Sequence, residues 1–244
     1  MRNQCALSRA AEADGVTIGP SKYGIMPSSR VLLHNWSEER ELRKLPLGTE
    51  LSSNSPLLLR NWQNLAVVSA QIPDTYPYNV KRDDTIHTFV AEDGLAMASN
   101  RLVFSPSKPS DAGPLRYGVT YHIQLDALME VPLYLTVQPR LCWQTLRRSP
   151  GSAVIATVDS TEDSLWRIVS TNASQRFEMD GEPVPSDSCV LLLHVHTGRF
   201  LTASRAFPVR TLMGLGFELG VERNQERTSK EMGEAMTWQF VQAV

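Results

Sequence analysis

His194 and His196 stand two residues apart in Leu191-Leu192-Leu193-His194-Val195-His196, with Cys189 five residues before the first. On a strand, side chains two apart leave the same face, so this pair is the chain's nearest approach to a metal-binding pattern. Zinc needs a third and a fourth ligand. The remaining histidines, His34, His87 and His122, keep no ligand spacing. The pair therefore reads as two histidines that support a hairpin or a protein interface and hold no metal. No Gly-x-Ser-x-Gly elbow, P-loop or dinucleotide fingerprint is present, and Gly214-Leu215-Gly216 lacks the rest of a phosphate cradle. The acids Glu38 and Glu39, and Asp83-Asp84 beside Lys81-Arg82, read as solvated surface. A protein that is not an enzyme and uses no cofactor is the expectation.

Whatever positions those residues is built mostly from strands. From Pro46 onward, short runs of Val, Leu, Ile, Tyr and Trp alternate with Gly, Pro, Asn, Asp and Ser, and no long 3.6-residue period appears. Strands are expected within residues 57–70, 86–90, 101–104, 119–125, 133–137, 154–158, 165–169, 190–204, 217–221 and 237–241. Three segments begin alike. Leu191 to Ser204 is a hairpin turning at Thr197-Gly198, Tyr121 to Val137 is one with a longer turn, and Leu57 to Ala70 turns at Gln63-Asn64. They also end alike, because Leu102-Val103-Phe104, Trp166-Arg167-Ile168 and Trp238-Gln239-Phe240 each put two large apolar side chains on one face. Phe104, Trp166 and Trp238 are expected on equivalent closing strands, packed towards a common axis. Three copies of a hairpin plus a closing strand favour an all-β β-trefoil over a β-sandwich. The expected organisation is a tail at 1–45 and a trefoil domain at 46–244, with repeats at about 46–110, 111–172 and 173–244.

The tail is rich in Ala, Ser, Gly and Pro through residue 29 and has few apolar residues to build a core. A short helix is expected after Trp36, with Ser37 as its cap, acids in its first turn, bases in its last and Pro46 as its stop. Tyr23, Asn35 and Trp36 lie ahead of the repeats and are candidate partner-binding residues, as are His194 and His196. Composition sets further bounds. The chain has 244 residues, 42% of them hydrophobic, with 24 Lys+Arg against 26 Asp+Glu and three cysteines. That near balance disfavours nucleic acid or an anionic membrane as the partner, and Cys5, Cys142 and Cys189 are too scattered for a disulfide framework. No signal-peptide or membrane-spanning run is visible, so a cytosolic or cytoskeletal place is expected.

Further marks accumulate in one order along the chain. They are Tyr23-Gly24, Arg30-Val31, Asn35-Trp36-Ser37-Glu38-Glu39, Leu115-Arg116-Tyr117-Gly118, Asp180-Gly181-Glu182-Pro183-Val184-Pro185 and His194-Val195-His196-Thr197-Gly198-Arg199-Phe200-Leu201-Thr202-Ala203. Together with Trp166 and Trp238, these marks resemble the cilia- and flagella-associated protein 161 family. The repeats also look like the MIR domain that protein mannosyltransferases share with inositol-trisphosphate receptors, a trefoil module. The chain departs from the family's pattern by inserting Ile25 to Ser29, and its first repeat matches by hairpin shape alone. The resemblance implies a structural microtubule inner protein in the lumen of axonemal doublet microtubules, in the A-tubule near the seam. There it would brace the lattice of motile cilia and flagella against α/β-tubulin and neighbouring inner proteins. The rival expectation is a trefoil module for a sugar or phosphoinositide, with Tyr76, Tyr78 and Trp143 as stacking faces.

Overall fold

The computed structural model describes residues 42–44, 49–71, 85–92, 98–125, 131–138, 149–211, 214–223 and 230–243. The candidate residues Tyr23, Asn35 and Trp36 lie outside them, as do Tyr76, Tyr78 and Trp143. The described chain is all-β apart from one short α-helix and a few 3-10 turns. Its first strands are β1 (Leu42–Lys44), β2 (Pro56–Asn61), β3 (Val67–Ala70) and β4 (Ile86–Ala91). Next come β5 (Leu102–Pro106), β6 (Thr120–Leu125), β7 (Leu133–Val137), β8 (Ser152–Thr157) and β9 (Leu165–Ser170). The last group is β10 (Cys189–His194), β11 (Arg199–Thr202), β12 (Pro208–Thr211), β13 (Gly214–Glu218), β14 (Gly220–Glu222), the helix α1 (Lys230–Met236) and β15 (Trp238–Ala243).

Six of these strands close on themselves. Following antiparallel pairs, β2 meets β5, β5 meets β6, β6 meets β9, β9 meets β10, β10 meets β15, and β15 returns to β2. A closed ring leaves no free edge in the barrel wall. One register runs through it. Leu59 pairs with Phe240, Ile123 with Phe104, and Leu192 with Ile168. One step along, Leu57 pairs with Leu102, Tyr121 with Trp166, and Val190 with Trp238. Six further strands pair over one end of the ring, β3 with β4, β7 with β8 and β11 with β14, and β4 joins β8 while β8 joins β14.

Side-chain alternation fills the ring. Along β6, Tyr121, Ile123 and Leu125 are buried while Thr120, His122 and Gln124 are half-exposed, and the same alternation puts Trp166 and Ile168 of β9 inside. The inward layers hold Leu102, Trp166 and Trp238 at one level and Phe104, Ile168 and Phe240 at the next, and every one is buried. Phe104, Trp166 and Trp238 thus lie on β5, β9 and β15 and all turn inward, with Leu102 at the level of the two tryptophans. Phe104 packs edge-on against Phe240 at 5.5 Å and Tyr121 at 6.2 Å. Each tryptophan also fixes a hairpin: Trp166 Nε1 donates to the Leu135 carbonyl at 2.8 Å, and Trp238 Nε1 to the Leu201 carbonyl at 3.0 Å.

The expected helix after Trp36 is corrected where it can be seen. Leu42–Lys44 is a strand, paired antiparallel with Val241, Gln242 and Ala243 of β15. Three residues beside a waiting sheet edge gain more from ladder hydrogen bonds than a two-turn helix gains from caps. Residues 42–44 therefore belong to the folded domain and not to the tail. β12 and α1 were unanticipated, and the strand expected at 217–221 divides between the end of β13, which pairs with β12 and β4, and β14.

Candidate functional site: the third hairpin turn and the barrel's open end

β10 ends at His194, so Val195, His196, Thr197 and Gly198 form the turn and the expected same-face geometry fails one residue past the strand. The two rings still lie near each other, 6.4 Å between centroids, but their environments differ sharply. His194 is fully buried, stacked at a tilt on Trp166 at 5.1 Å. Its Nε2 lies 2.9 Å from the Asp163 carbonyl oxygen, which only accepts, so Nε2 carries a proton. Its Nδ1 lies 2.9 Å from Thr197 Oγ1, whose hydroxyl donates to the neutral ring. Burial pushes the His194 pKa below the ordinary value, which favours that neutral form, while the bond to Asp163 and its charge pull the other way. With both nitrogens engaged inside the chain, His194 supports the hairpin and offers nothing to a partner.

His196 is the outward half of the pair. Its side chain is 60% exposed, and Nδ1 meets Asp163 Oδ1 at 2.7 Å. One residue, Asp163, thus holds both histidines, the first through its backbone and the second through its carboxylate. Asp163 itself sits in the 3-10 turn Glu162–Ser164, where Thr161 and Ser164 form a reciprocal capping box. Among the described residues, no group of three or more His, Cys, Asp and Glu side chains is arranged to hold a metal ion.

At the other end of the barrel, two of the marks quoted above turn out to be one structural unit. Residues 115–118 and 180–185 are laced together. Tyr117 N donates to the Glu182 carbonyl at 3.0 Å, Gly181 N to that of Tyr117 at 2.9 Å, Val184 N to that of Leu115 at 2.8 Å, and Arg116 Nη1 to that of Gly181 at 2.7 Å. Gly118 must be glycine, because its φ is +76° and a Cβ there would run into the Asp180 carboxylate. Leu115 N in turn donates to the Leu51 carbonyl at 2.6 Å. Beside this seam lies a shallow groove of about 400 Å³ whose walls include Leu51, Pro114, Pro183 and Val184, with Glu50 and Asp187 as the charged residues among its described lining. Those two carboxylates disfavour a phosphate or sulfate. Sequence reasoning quoted both marks without seeing that they meet; two tight turns containing glycine, each followed by an apolar residue, were the available signal.

Comparison with known proteins gives two kinds of likeness. Residues 141–242 match a family model described as the cilia- and flagella-associated protein 161-like domain. That stretch contains Trp166, Trp238 and the marks at 180–185 and 194–203, so the resemblance read from those residues holds there. A curated relative, cilia- and flagella-associated protein 161 of Bos taurus, is 30% identical over 101 residues, which is 41% of this chain and 32% of that protein. Among solved structures, an SDF2-like protein from Arabidopsis thaliana superposes with a TM-score of 0.55 at 13% identity, covering 80% of this chain and 97% of that one. The protein O-mannosyltransferase Pmt1-Pmt2 complex of S. cerevisiae, bound to the sugar donor, gives 0.54 at 10% identity over 81% of this chain and 26% of that one. At such identities the likeness is one of fold.

Proposed function

We propose that this chain is a cilium- and flagellum-associated structural protein whose folded part is a β-trefoil. It sits in the lumen of axonemal doublet microtubules, in the A-tubule near the seam, and braces the lattice through contacts with α/β-tubulin and neighbouring inner proteins. It is not an enzyme and needs no cofactor. The observation that carries this reading is the match of residues 141–242 to the cilia- and flagella-associated protein 161-like domain, whose quoted marks form the turn at His194 and the seam at Val184. The trefoil assignment rests on the six-strand ring and on one pairing offset that recurs three times around it. Such a body suits a brace. Its barrel wall has no open edge to recruit stray strands, and many shallow contacts repeated along a filament add up to retention without a deep pocket.

Fractionation of isolated flagella tests it. Membranes are removed with detergent, doublets are washed in high salt, and the chain is followed by immunoblot. Retention with the salt-washed doublets is expected. Release with the detergent fraction would refute the brace and favour the sugar or phosphoinositide module instead.

A further inference from the structure

Between β9 and β10 the chain presents a phenylalanine almost wholly to water. Phe177 is 92% exposed, more than any other large apolar side chain among the described residues. Two residues on, Met179 packs against the core, so one turn tucks its first apolar neighbour in and leaves the ring out. The turn is fixed without that ring. Gln175 N donates to the Asn172 carbonyl at 3.2 Å, Met179 N to that of Gln175 at 3.0 Å and Glu182 N to that of Met179 at 3.0 Å. Asn172 Oδ1 accepts from Ser174 N, and Gly181 is laced to Tyr117 across the seam. An aromatic side chain carried on a set backbone loses little freedom on contact, as interface anchors do.

The side chains around Phe177 select what it meets. Glu178, Asp180 and Glu182 are exposed on the same turn, and Asp187 is exposed farther along the segment. Among the described residues no hydrogen bond or ion pair engages the carboxylate of Glu178 or Glu182. The arginine of this turn is committed elsewhere: Arg176 Nε donates to the Ser170 carbonyl at 2.9 Å, and its guanidinium lies over the Phe200 ring at 5.5 Å. Across the seam, Arg116 Nη1 donates to the Gly181 carbonyl. An open ring face and the carboxylates beside it attract the same thing, a cation, the first through its quadrupole and the second through charge.

The segment then runs into Pro183 and Val184, which wall the apolar groove that Glu50 and Asp187 also line. We infer that Phe177, Glu178, Glu182 and this groove form a docking surface for a lysine- or arginine-bearing segment of another protein. A cation of that segment lies over Phe177 beside the carboxylates, and an apolar side chain next to it enters the groove. A second copy of this chain is the wrong occupant, because a symmetric contact here sets these carboxylates against their own copies. The same charges disfavour a nucleic acid or an anionic membrane. Nothing in this surface depends on the doublet lattice, so the purified chain is enough to test it.

The full chain is titrated with a short labelled peptide that sets leucines between lysines, and binding is read by fluorescence anisotropy. Wild type is expected to bind it, and to bind about tenfold more weakly the counterparts with glutamate for lysine or serine for leucine. Phe177→Ser is expected to lose about fivefold or more in affinity, while Phe177→Tyr keeps the ring face and binds like wild type. Leu215→Ser, at another exposed apolar site, is expected to bind unchanged. Glu178→Gln combined with Glu182→Gln should weaken binding and flatten its fall with added salt. Wild type that binds none of the peptides, or counterparts that bind as well as the first, would overturn the surface. Equal binding by Phe177→Ser would do the same, as would a melting temperature lowered by more than ~4 °C in that variant, which would make Phe177 part of the core. A wild-type dimer split by Phe177→Ser would replace the partner with a second copy.

Discussion

Asn61 and His194 do one job in two chemistries. Each faces a tryptophan across the barrel wall, and each donates to the carbonyl three residues ahead of it, Asn61 to Ala235 at 2.8 Å before Trp238 and His194 to Asp163 at 2.9 Å before Trp166. Both side chains are fully buried. The third position of that set, Leu125 in β6, is apolar and its side chain makes no such bond.

The equivalence predicts how His194 tolerates change. His194→Ala leaves the Asp163 carbonyl and Thr197 Oγ1 without their buried partner and opens a cavity, a loss of about 2–4 kcal/mol. His194→Asn places the group that works at Asn61 in the matching site and is expected to lose only ~1 kcal/mol. Urea denaturation of the two variants checks this; equal losses would mean that the two sites are not equivalent.

Acid should weaken the fold through the same residue. Burial holds the folded-state pKa of His194 below 6.5, and burial also lowers that of His122, whose Nδ1 meets Ser164 Oγ at 2.9 Å. Below pH 6.5 the unfolded chain binds protons that the folded chain refuses, so stability falls as pH drops until it reaches the folded values, and is fully present above pH 6.5. Stability measured between pH 8 and pH 5 should fall on the acid side, with a shallower fall in His194→Asn. A profile that His194→Asn leaves unchanged would assign the acid sensitivity to other groups.

The two indoles carry more than area. Trp238→Ala is expected to cost about 3–5 kcal/mol, a large share of the 5–15 kcal/mol that holds a domain of this kind together. Trp238→Phe keeps most of the burial but strands the Leu201 carbonyl, at about 1–3 kcal/mol, and Trp166→Phe does the same to Leu135. Thermal melts of the three variants should rank with Trp238→Ala lowest. An unshifted melt for Trp238→Ala would remove the tryptophan from the barrel core.

What was legible in the sequence was whatever burial writes into local pattern. Alternation along 119–125 and 165–169 and the paired bulky residues at 102–104, 166–168 and 238–240 announced the ring strands, because inward positions there have no other solution. What pairing decides was not legible. Leu42-Arg43-Lys44 carries no strand pattern of its own, and only the partner edge of β15 makes it a strand. β12 and the start of β13 hid because Pro208-Val209-Arg210-Thr211 and Gly214-Leu215 keep much of their surface exposed, so no apolar period marks them. α1 is seven residues long with Gly233 inside it, too short to show helical periodicity. At the turn, both histidines were visible as types, but only the carbonyl of Asp163, thirty-one residues from His194, made one structural and left the other outside.

The place of β1 sharpens the expectation for the N-terminal segment. Leu42, Arg43 and Lys44 pair with the last three residues of β15, so a chain beginning at 42 keeps that ladder while one beginning at 49 uncovers it. Residues 42–244 should match the full chain in circular dichroism and in melting temperature. Residues 49–244 should still fold, since the six-strand ring closes without β1, but with about 1–3 kcal/mol less stability for the lost ladder bonds and a greater tendency to aggregate through the bared edge of β15. If Tyr23, Asn35 and Trp36 are contacts to a partner, the 42–244 chain should already bind doublets more weakly than the full chain while remaining as stable. Unfolding of 42–244 would instead make the first 41 residues part of the core, and would remove those three residues from the interface.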